Sequence, residues 1–318
     1  APLDGNTDSI KQKCRQIDFD ALFDDTTRPL IVDLGSGMGV SLLGLATLPT
    51  NASILQNCAA TDSLLLPTAG AFNFIGGELN TVLCRYSQGI AKRWGLTGRV
   101  GFVPYPAEAM LQQIDDRYPG VVDMLMVQFP TPYRMGRSDS EVPNEDVAKD
   151  TKTHHNGGSQ MMSPNNGNAQ LPSSVRSKDF MANAQLLKTA AAVLRRSKEK
   201  GGHAGLLLLQ SNCEDVAVNM RKMAVEEIGF TIVDMDHPVD DNRIPDDNST
   251  SGAGSNSNGD GSKNLPQRTL EWIHRGGQRA RGPGWASQPL LPRRGQTETE
   301  VVCELQGTAV HRCLLRMV

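Results

Sequence analysis

From residue 30 onward the apolar and polar positions of this chain alternate between two periods. Leu30–Leu34 is a short unbroken apolar run closed by glycines, the pattern of a strand buried on both faces. Met38–Leu48 follows with helical spacing, then a second strand over Phe72–Ile75 and a helix over Asn80–Trp94. Val100–Val103 predicts a third strand and Val121–Phe129 a fourth, stopped by Pro130. Phe180–Arg196 is an amphipathic helix with Leu186, Leu187, Ala190, Val193 and Leu194 on one side. Ala204–Leu209 predicts a fifth strand, Asp215–Ile228 a helix, and Thr231–Met235 and Val310–Leu315 the last two strands. Strands alternating with helices imply an α/β domain over residues 29–318, with a mostly parallel seven-stranded sheet flanked by helices. Ligands of such sheets bind beyond the carboxyl ends of the strands. Residues 1–28 read as a lead-in, with helical spacing from Ile10 to Phe23 broken by Asp24–Pro29.

Two stretches leave the pattern. Residues 136–172 carry His154-His155-Asn156-Gly157-Gly158, and residues 240–264 a run of Ser, Gly and Asn from Ser249 to Gly259. Neither holds enough apolar surface to offset its ordering entropy, so both are expected to be disordered insertions. They account for much of the low apolar fraction of 38% in the 318 residues. A histidine pair in such a stretch is no metal site, and no metal is expected.

Charge changes the picture only locally. The net charge of −3 does not advertise a polyanion partner. Basic residues nonetheless crowd Arg176–Lys200 and Lys263–Arg294, the latter with Arg268, Arg275, Arg279, Arg281, Arg293 and Arg294 against Glu271. Such a face suits RNA contact or plain solvation equally. Trp272 and Trp285 flank these arginines, an arrangement that serves base stacking or, more often, packing. The six cysteines form no CxxC pair, which argues for a reducing compartment and against structural zinc. No apolar run of membrane-spanning length occurs, so no membrane association is expected.

The first strand–helix turn, Val32-Asp33-Leu34-Gly35-Ser36-Gly37-Met38-Gly39, holds the candidate chemistry. Glycines there let the backbone turn tightly and approach a ligand. Their spacing departs from the dinucleotide fingerprint, whose third glycine would fall at Val40. Asp33 ends the strand as a carboxylate facing a cationic ligand portion. Glu78, at the tip of the second strand, stands where an acid holds ribose hydroxyls, with Pro49–Ala71 as an enlarged connection between the two. Together these residues point to a nucleoside-bearing cofactor.

Phe129-Pro130-Thr131-Pro132-Tyr133, after a glycine loop of this kind, resembles the tRNA (guanine-N7)-methyltransferase family. The similarity runs through Gly95–Val100, Leu209–Asn212 with its following helix, Gln296–Glu300 and Gly307–Arg312, nearly all the chain outside the insertions. The Gln210–Ala217 segment is most similar to plastid-type members, which implies a plastid location, with cytoplasm or nucleus otherwise. The resemblance implies a Rossmann-like class I methyltransferase fold, S-adenosyl-L-methionine as cofactor, tRNA as partner and a possible partner subunit. It implies a cofactor set of Asp33, Gly35, Ser36, Gly37, Gly39, Glu78, Leu79, Pro106, Ala107 and Gln128, with the Ala107 backbone N–H on the adenine side. It implies a pocket of Thr131, Asn212, Thr297 and Glu300, the last two matching a Thr-x-x-Glu element that contacts the target guanosine. Thr131 stands where the family has Asp, Asn212 where it has Asp, and Met135, beside Arg134, where it has Lys or Arg.

Three functions follow as expectations: N7-methylation of tRNA guanosine, a weak or inactive family member that binds RNA or a partner chain, and a methyltransferase with another acceptor. Guanine N7 attacks through a lone pair that carries no proton, so positioning rather than general base catalysis is required.

Overall fold

The computed structural model describes residues 16–58, 66–132, 180–203, 205–236, 238–239 and 265–318. Both expected insertions lie outside them, as do Tyr133, Arg134, Met135 and the His154-His155 pair.

The described chain forms one mixed Rossmann-like sheet. Its parallel half is β3 (Val100–Val103), β2 (Asn73–Gly77), β1 (Leu30–Leu34), β4 (Val122–Gln128) and β5 (Leu206–Ser211), side by side in that order. The order reverses between β1 and β4, which makes the carboxyl edge there the place for a ligand. The antiparallel β9 (His311–Arg316) continues the sheet beside β5, followed by β8 (Gly282–Ala286) and β7 (Pro238–Val239). β6 (Thr231–Ile232) pairs with the far end of β9. The path thus holds eight strands and β6 makes a ninth, against seven expected. β8 escaped the pattern because Gly282-Pro283-Gly284-Trp285-Ala286 has no alternation and two glycines at positive φ. The sixth expected strand shrinks to Thr231 and Ile232, both exposed, because it lies on the sheet margin.

Strand residues on one face of the sheet, among them Val32, Leu34, Leu125, Val127, Leu207 and Leu209, pack in one buried cluster. That cluster includes side chains of α4 (Ala107–Arg117), α5 (Ala184–Glu199) and α6 (Glu214–Lys222). The opposite face, with Ile31, Phe74, Met124, Met126 and Leu208, packs with α2 (Val40–Ala46) and α3 (Thr81–Arg93). Burial on both faces is why the strands read as unbroken apolar runs. Asn80 caps α3 by accepting from the Val82 and Leu83 amides, and Asn183 caps α5 by accepting from Leu186 N. A wider final turn carries the helix from α6 through Met223–Ile228.

Of the expected lead-in helix, the described residues contain only α1 (Phe19–Leu22), capped by Asp18. Its residues belong to the main core rather than to an appendage: Ile17, Phe19 and Phe23 are buried, and Phe19 and Phe23 meet Tyr118 edge to face. Three helices add to the expected set: α4, α7 (Gln267–His274) and α8 (Glu298–Gln306). Thr297 starts the last as its N-cap, accepting from Glu300 N.

Gly44, mid-helix in α2, permits close approach of the 3-10 turn Arg293–Gly295, since a Cβ there would lie 1.5 Å from the Arg294 carbonyl oxygen. Gly44→Ala is expected to cost about 2–3 kcal/mol in urea denaturation, because backbone rather than a flexible side chain must yield. A loss under about 0.5 kcal/mol would show that this contact is not tight.

Candidate functional site

The site is assembled at the carboxyl edge of β1, β2, β4 and β5. After Asp33 and Leu34 the chain turns through Gly35, Gly37 and Gly39, at φ +81°, +54° and +70°. These left-handed values cost an ordinary residue roughly 1–2 kcal/mol each. At Gly39 space forbids a side chain as well, since a Cβ would lie 2.2 Å from the Phe102 ring. The Gly35 and Ser36 amides both donate to the Gly77 carbonyl at 2.9 Å, tying the loop to the end of β2. Glu78, the next residue, accepts from Gly37 N at 3.2 Å and from Asn80 N at 2.9 Å. Loop and acid therefore form one unit across the β1–β2 edge.

Asp33 lies beneath that loop, 2% exposed. The Gln128 amide, at the end of β4, donates to its Oδ2 at 3.3 Å and to Ser41 Oγ at 3.2 Å, and Ser41 donates to Gly295 O. Asp33 Oδ1 and Ser36 Oγ are buried with no hydrogen-bond partner. Buried polar atoms are rarely left unpaired, so both are expected to meet a ligand. Burial pushes the Asp33 carboxyl up to about 7, opposed by the Gln128 hydrogen bond and reinforced by the charges of Glu298 and Glu78. Three carboxylates thus interact electrostatically at the loop, which favours a cationic ligand.

Gln128 is held from behind. Gln210, its register partner on β5, donates to Gln128 Oε1 at 2.9 Å and to Glu300 Oε2 at 3.4 Å. Arg312, the register partner of Gln210 on β9, donates through Nε to Glu300 Oε1 at 2.8 Å. A guanidinium can only donate, so this chain has one sense. Glu300 must accept, Gln210 must present its NH2, and Gln128 must turn its own NH2 toward Asp33. Glu300 and Arg312 are 1% and 5% exposed, and burial still raises the Glu300 carboxyl above its usual range despite Arg312.

The sequence-expected residues fall into two groups. Asp33, Gly35, Ser36, Gly37, Gly39, Glu78 and Gln128 meet at this edge. Glu300 joins through Gln210, with its carboxylate taken by internal partners, and Thr297 serves as the α8 cap. Asn212 is buried just beyond β5, its Oδ1 accepting from Cys213 Sγ. Leu79 is 71% exposed, Pro106 is the N-cap residue of α4, Ala107 is its half-buried first residue, and Thr131 is exposed. Among the described residues no hydrogen bond links these four to the network. Phe129, between Gln128 and Pro130, sits at φ +50°, a strained value for a bulky residue of the kind that gathers at functional sites.

Gln210, Glu298 and Arg312 fall within the segments that carry the resemblance but receive no site role from it, and Ser41 is not singled out. Only the β4–β5–β9 register makes Gln210 and Arg312 neighbours of Gln128, while Ser41 comes from α2 and Glu298 from α8. The sequence also suggests a basic face that the structure largely consumes. Arg268 forms a two-pronged pair with buried Asp215 at 2.7 and 2.5 Å, and Arg279 contacts both oxygens of buried Glu214 at 2.9 and 3.0 Å. Arg293 pairs with Glu304, and Arg294 donates to Thr47 O. Trp285 is buried beneath the Arg221 guanidinium and Trp272 donates to Gln278 O, so both tryptophans pack rather than wait for bases.

The raised Asp33 carboxyl gives a stability prediction. The folded state holds this proton more tightly than the unfolded chain. Its contribution is therefore full below about pH 4 and lost as pH rises through about 7. The loss is on the order of 2–4 kcal/mol. Thermal denaturation should show stability falling over that range, with Asp33→Asn flattening the slope. Parallel curves for the two proteins would show that Asp33 titrates normally.

No family model and no curated protein matches the chain. Among solved structures it is similar to the [4+2]-cyclase SpnF, at 12% identity over 68% of this chain and 56% of that one, TM-score 0.35. It is similar to the O-methyltransferase of a trans-AT PKS multienzyme of Brevibacillus brevis in complex with S-adenosyl-L-homocysteine, at 11% identity over 91% and 66%, TM-score 0.34. The hMettl16 catalytic domain, in complex with a 3'UTR hairpin, matches at 15% identity over 67% and 59%, TM-score 0.31. The chain spans less than two thirds of the length of the first and third of these. These likenesses concern the fold, and the case for the site rests on the chain's own residues. Among the described residues no helix is long and apolar enough to cross a membrane, and no group of His, Cys, Asp and Glu is placed to hold a metal ion.

Proposed function

We propose that this chain is an S-adenosylmethionine-dependent methyltransferase. The observation that carries the reading is Asp33, one oxygen fixed by Gln128 and the other buried without a partner under a three-glycine loop. The residues present fit the cofactor. Asp33 Oδ1 suits its cationic amino group, Ser36 Oγ and the loop amides suit its carboxylate, and Glu78 suits the ribose hydroxyls. Leu79, Pro106 and Ala107 are the proposed adenine side. When bound, the cofactor supplies a methyl group on a positively charged sulfur. The carboxylates of Asp33, Glu78 and Glu298 favour that positive charge.

The proposed acceptor is N7 of a guanosine in tRNA. Support comes from Phe129-Pro130-Thr131-Pro132, which leaves β4 next to Gln128 and so brings Thr131 to the edge that holds the loop. No proton has to be removed, so the acceleration is positional. Thr131 is the candidate acceptor for the guanine N1–H and amino group. Thr297 and Glu300 act in this reading by fixing the start of α8, and through it Glu298, rather than by touching the base.

The test is methyl incorporation from labelled S-adenosylmethionine into unmodified bulk tRNA, with the modified nucleoside identified and Glu78→Ala as control. N7-methylguanosine that disappears in the control supports the reading; no incorporation by a chain that still binds S-adenosylhomocysteine removes tRNA from it. A charged acceptor holds guanine more strongly than a neutral one by about 1–2 kcal/mol. Thr131→Asp is therefore expected to raise kcat/KM for tRNA roughly five- to thirty-fold. An unchanged or lower value would take Thr131 out of the base pocket.

A further inference from the structure

The ion pairs from Glu214 and Asp215 draw residues 265–281 onto the start of α6. Farther along the same helix a cleft of about 440 Å³ opens toward β6 and β8, bordered by Arg221, Lys222, Glu226, Arg279, Arg281 and Trp285. It is separate from the glycine loop. β6 lies at the Arg316 end of β9, whereas the loop's network engages Arg312 beside the carboxyl end of β5.

Among the described residues, four cations and one carboxylate line this cleft. Glu214 already answers Arg279. Arg221 is half-buried and has no carboxylate partner among the described residues: its Nη2 donates to Pro283 O at 2.9 Å, and its guanidinium lies 4.7 Å from the centre of the Trp285 ring. Burial accordingly lowers its pKa below the usual guanidinium range. A cation stripped of water without an anion costs free energy that a bound anion returns. Arg221 has five N–H donors, most of them unused by acceptors among the described residues, and Lys222 is an exposed point charge one residue on. This fork-plus-point arrangement matches an anion with several oxygens at wide angles.

We propose that the cleft between α6 and β8 binds a phosphate group. The cleft exceeds a lone phosphate and is of the size that takes a small-molecule ligand. Trp285 is covered by Arg221, so no base stacks on it, and recognition is of the phosphate irrespective of base. The phosphate belongs either to a free phosphate compound or to a polynucleotide backbone, and the experiment separates these. The site stands independently of the methyltransferase reading.

The full chain and its Arg221→Gln, Lys222→Glu and Lys92→Glu variants are titrated with inorganic pyrophosphate and, separately, with bulk tRNA at two salt concentrations. S-Adenosylhomocysteine binding is measured alongside, to report the loop site by itself. Lys92 lies in the last turn of α3, away from the cleft, and serves as a control for bulk charge. Pyrophosphate binding weakened tenfold or more by Arg221→Gln and Lys222→Glu, and unchanged by Lys92→Glu, establishes a free-phosphate site. No pyrophosphate binding, but tRNA affinity lowered at least fivefold by Lys222→Glu alone with a shallower salt dependence, establishes a backbone site. If neither ligand distinguishes the two cleft variants from the Lys92→Glu control, the proposal is overturned. Lys222 is exposed and buries nothing, so Lys222→Glu decides the matter even if Arg221→Gln unfolds.

Discussion

Asp33→Asn is expected to weaken S-adenosylhomocysteine binding about 100-fold, roughly 3 kcal/mol, while the variant itself is more stable than the parent at pH 8. The two effects have one cause. Asp33 is 2% exposed, and its ionised form is destabilised by burial and by Glu298 and Glu78. Above pH 7 that cost is carried by the empty protein and offset when a cationic ligand group meets Oδ1. Asparagine removes the cost and the attraction together. Calorimetry at pH 8 gives the first effect and thermal denaturation the second. In the parent, affinity should also fall about tenfold per pH unit below 7, since only the ionised carboxylate pairs with the ligand. Binding within threefold of the parent would mean that Asp33 is structural, and the cofactor reading would then lose its main support.

Arg312→Leu should be the most destabilising single change at the site, by about 3–5 kcal/mol in urea denaturation. It leaves Glu300 buried at 1% exposure with only the long 3.4 Å bond from Gln210. The same variant frees Gln210 and Gln128 to turn their amides, so cofactor affinity should fall along with stability. Arg312→Leu combined with Glu300→Leu should recover most of the stability, because an apolar pair carries no desolvation cost. It should not recover affinity, because the sense of the amide chain is lost. Recovery of both would mean that the pair does not orient Gln128 toward Asp33.

The parts of the site that are local in sequence were legible from it. A strand, an acid and three glycines within Val32–Gly39 define the loop, and Glu78 at the tip of the next strand completes it. The apolar runs Leu30–Leu34, Val122–Gln128 and Leu206–Ser211 are buried throughout, so composition alone marked them as central strands. Weak local patterns were misread or passed over. β8 is Gly-Pro-Gly-Trp-Ala, and α8 shows no apolar stripe on its buried side, which holds Glu300 and Cys303.

What the sequence determined, then, is the parallel core and the loop on its edge, since burial on both faces and positive φ each demand particular residue types at neighbouring positions. Only the tertiary structure decided the rest. Glu300 and Arg312 pair in the interior, Arg268 and Arg279 turn to buried acids, and Arg294 to a backbone carbonyl. Charge counted along the chain carries no record of its partner: an arginine answering a carboxylate 53 or 65 residues away reads like one answering solvent until the fold closes.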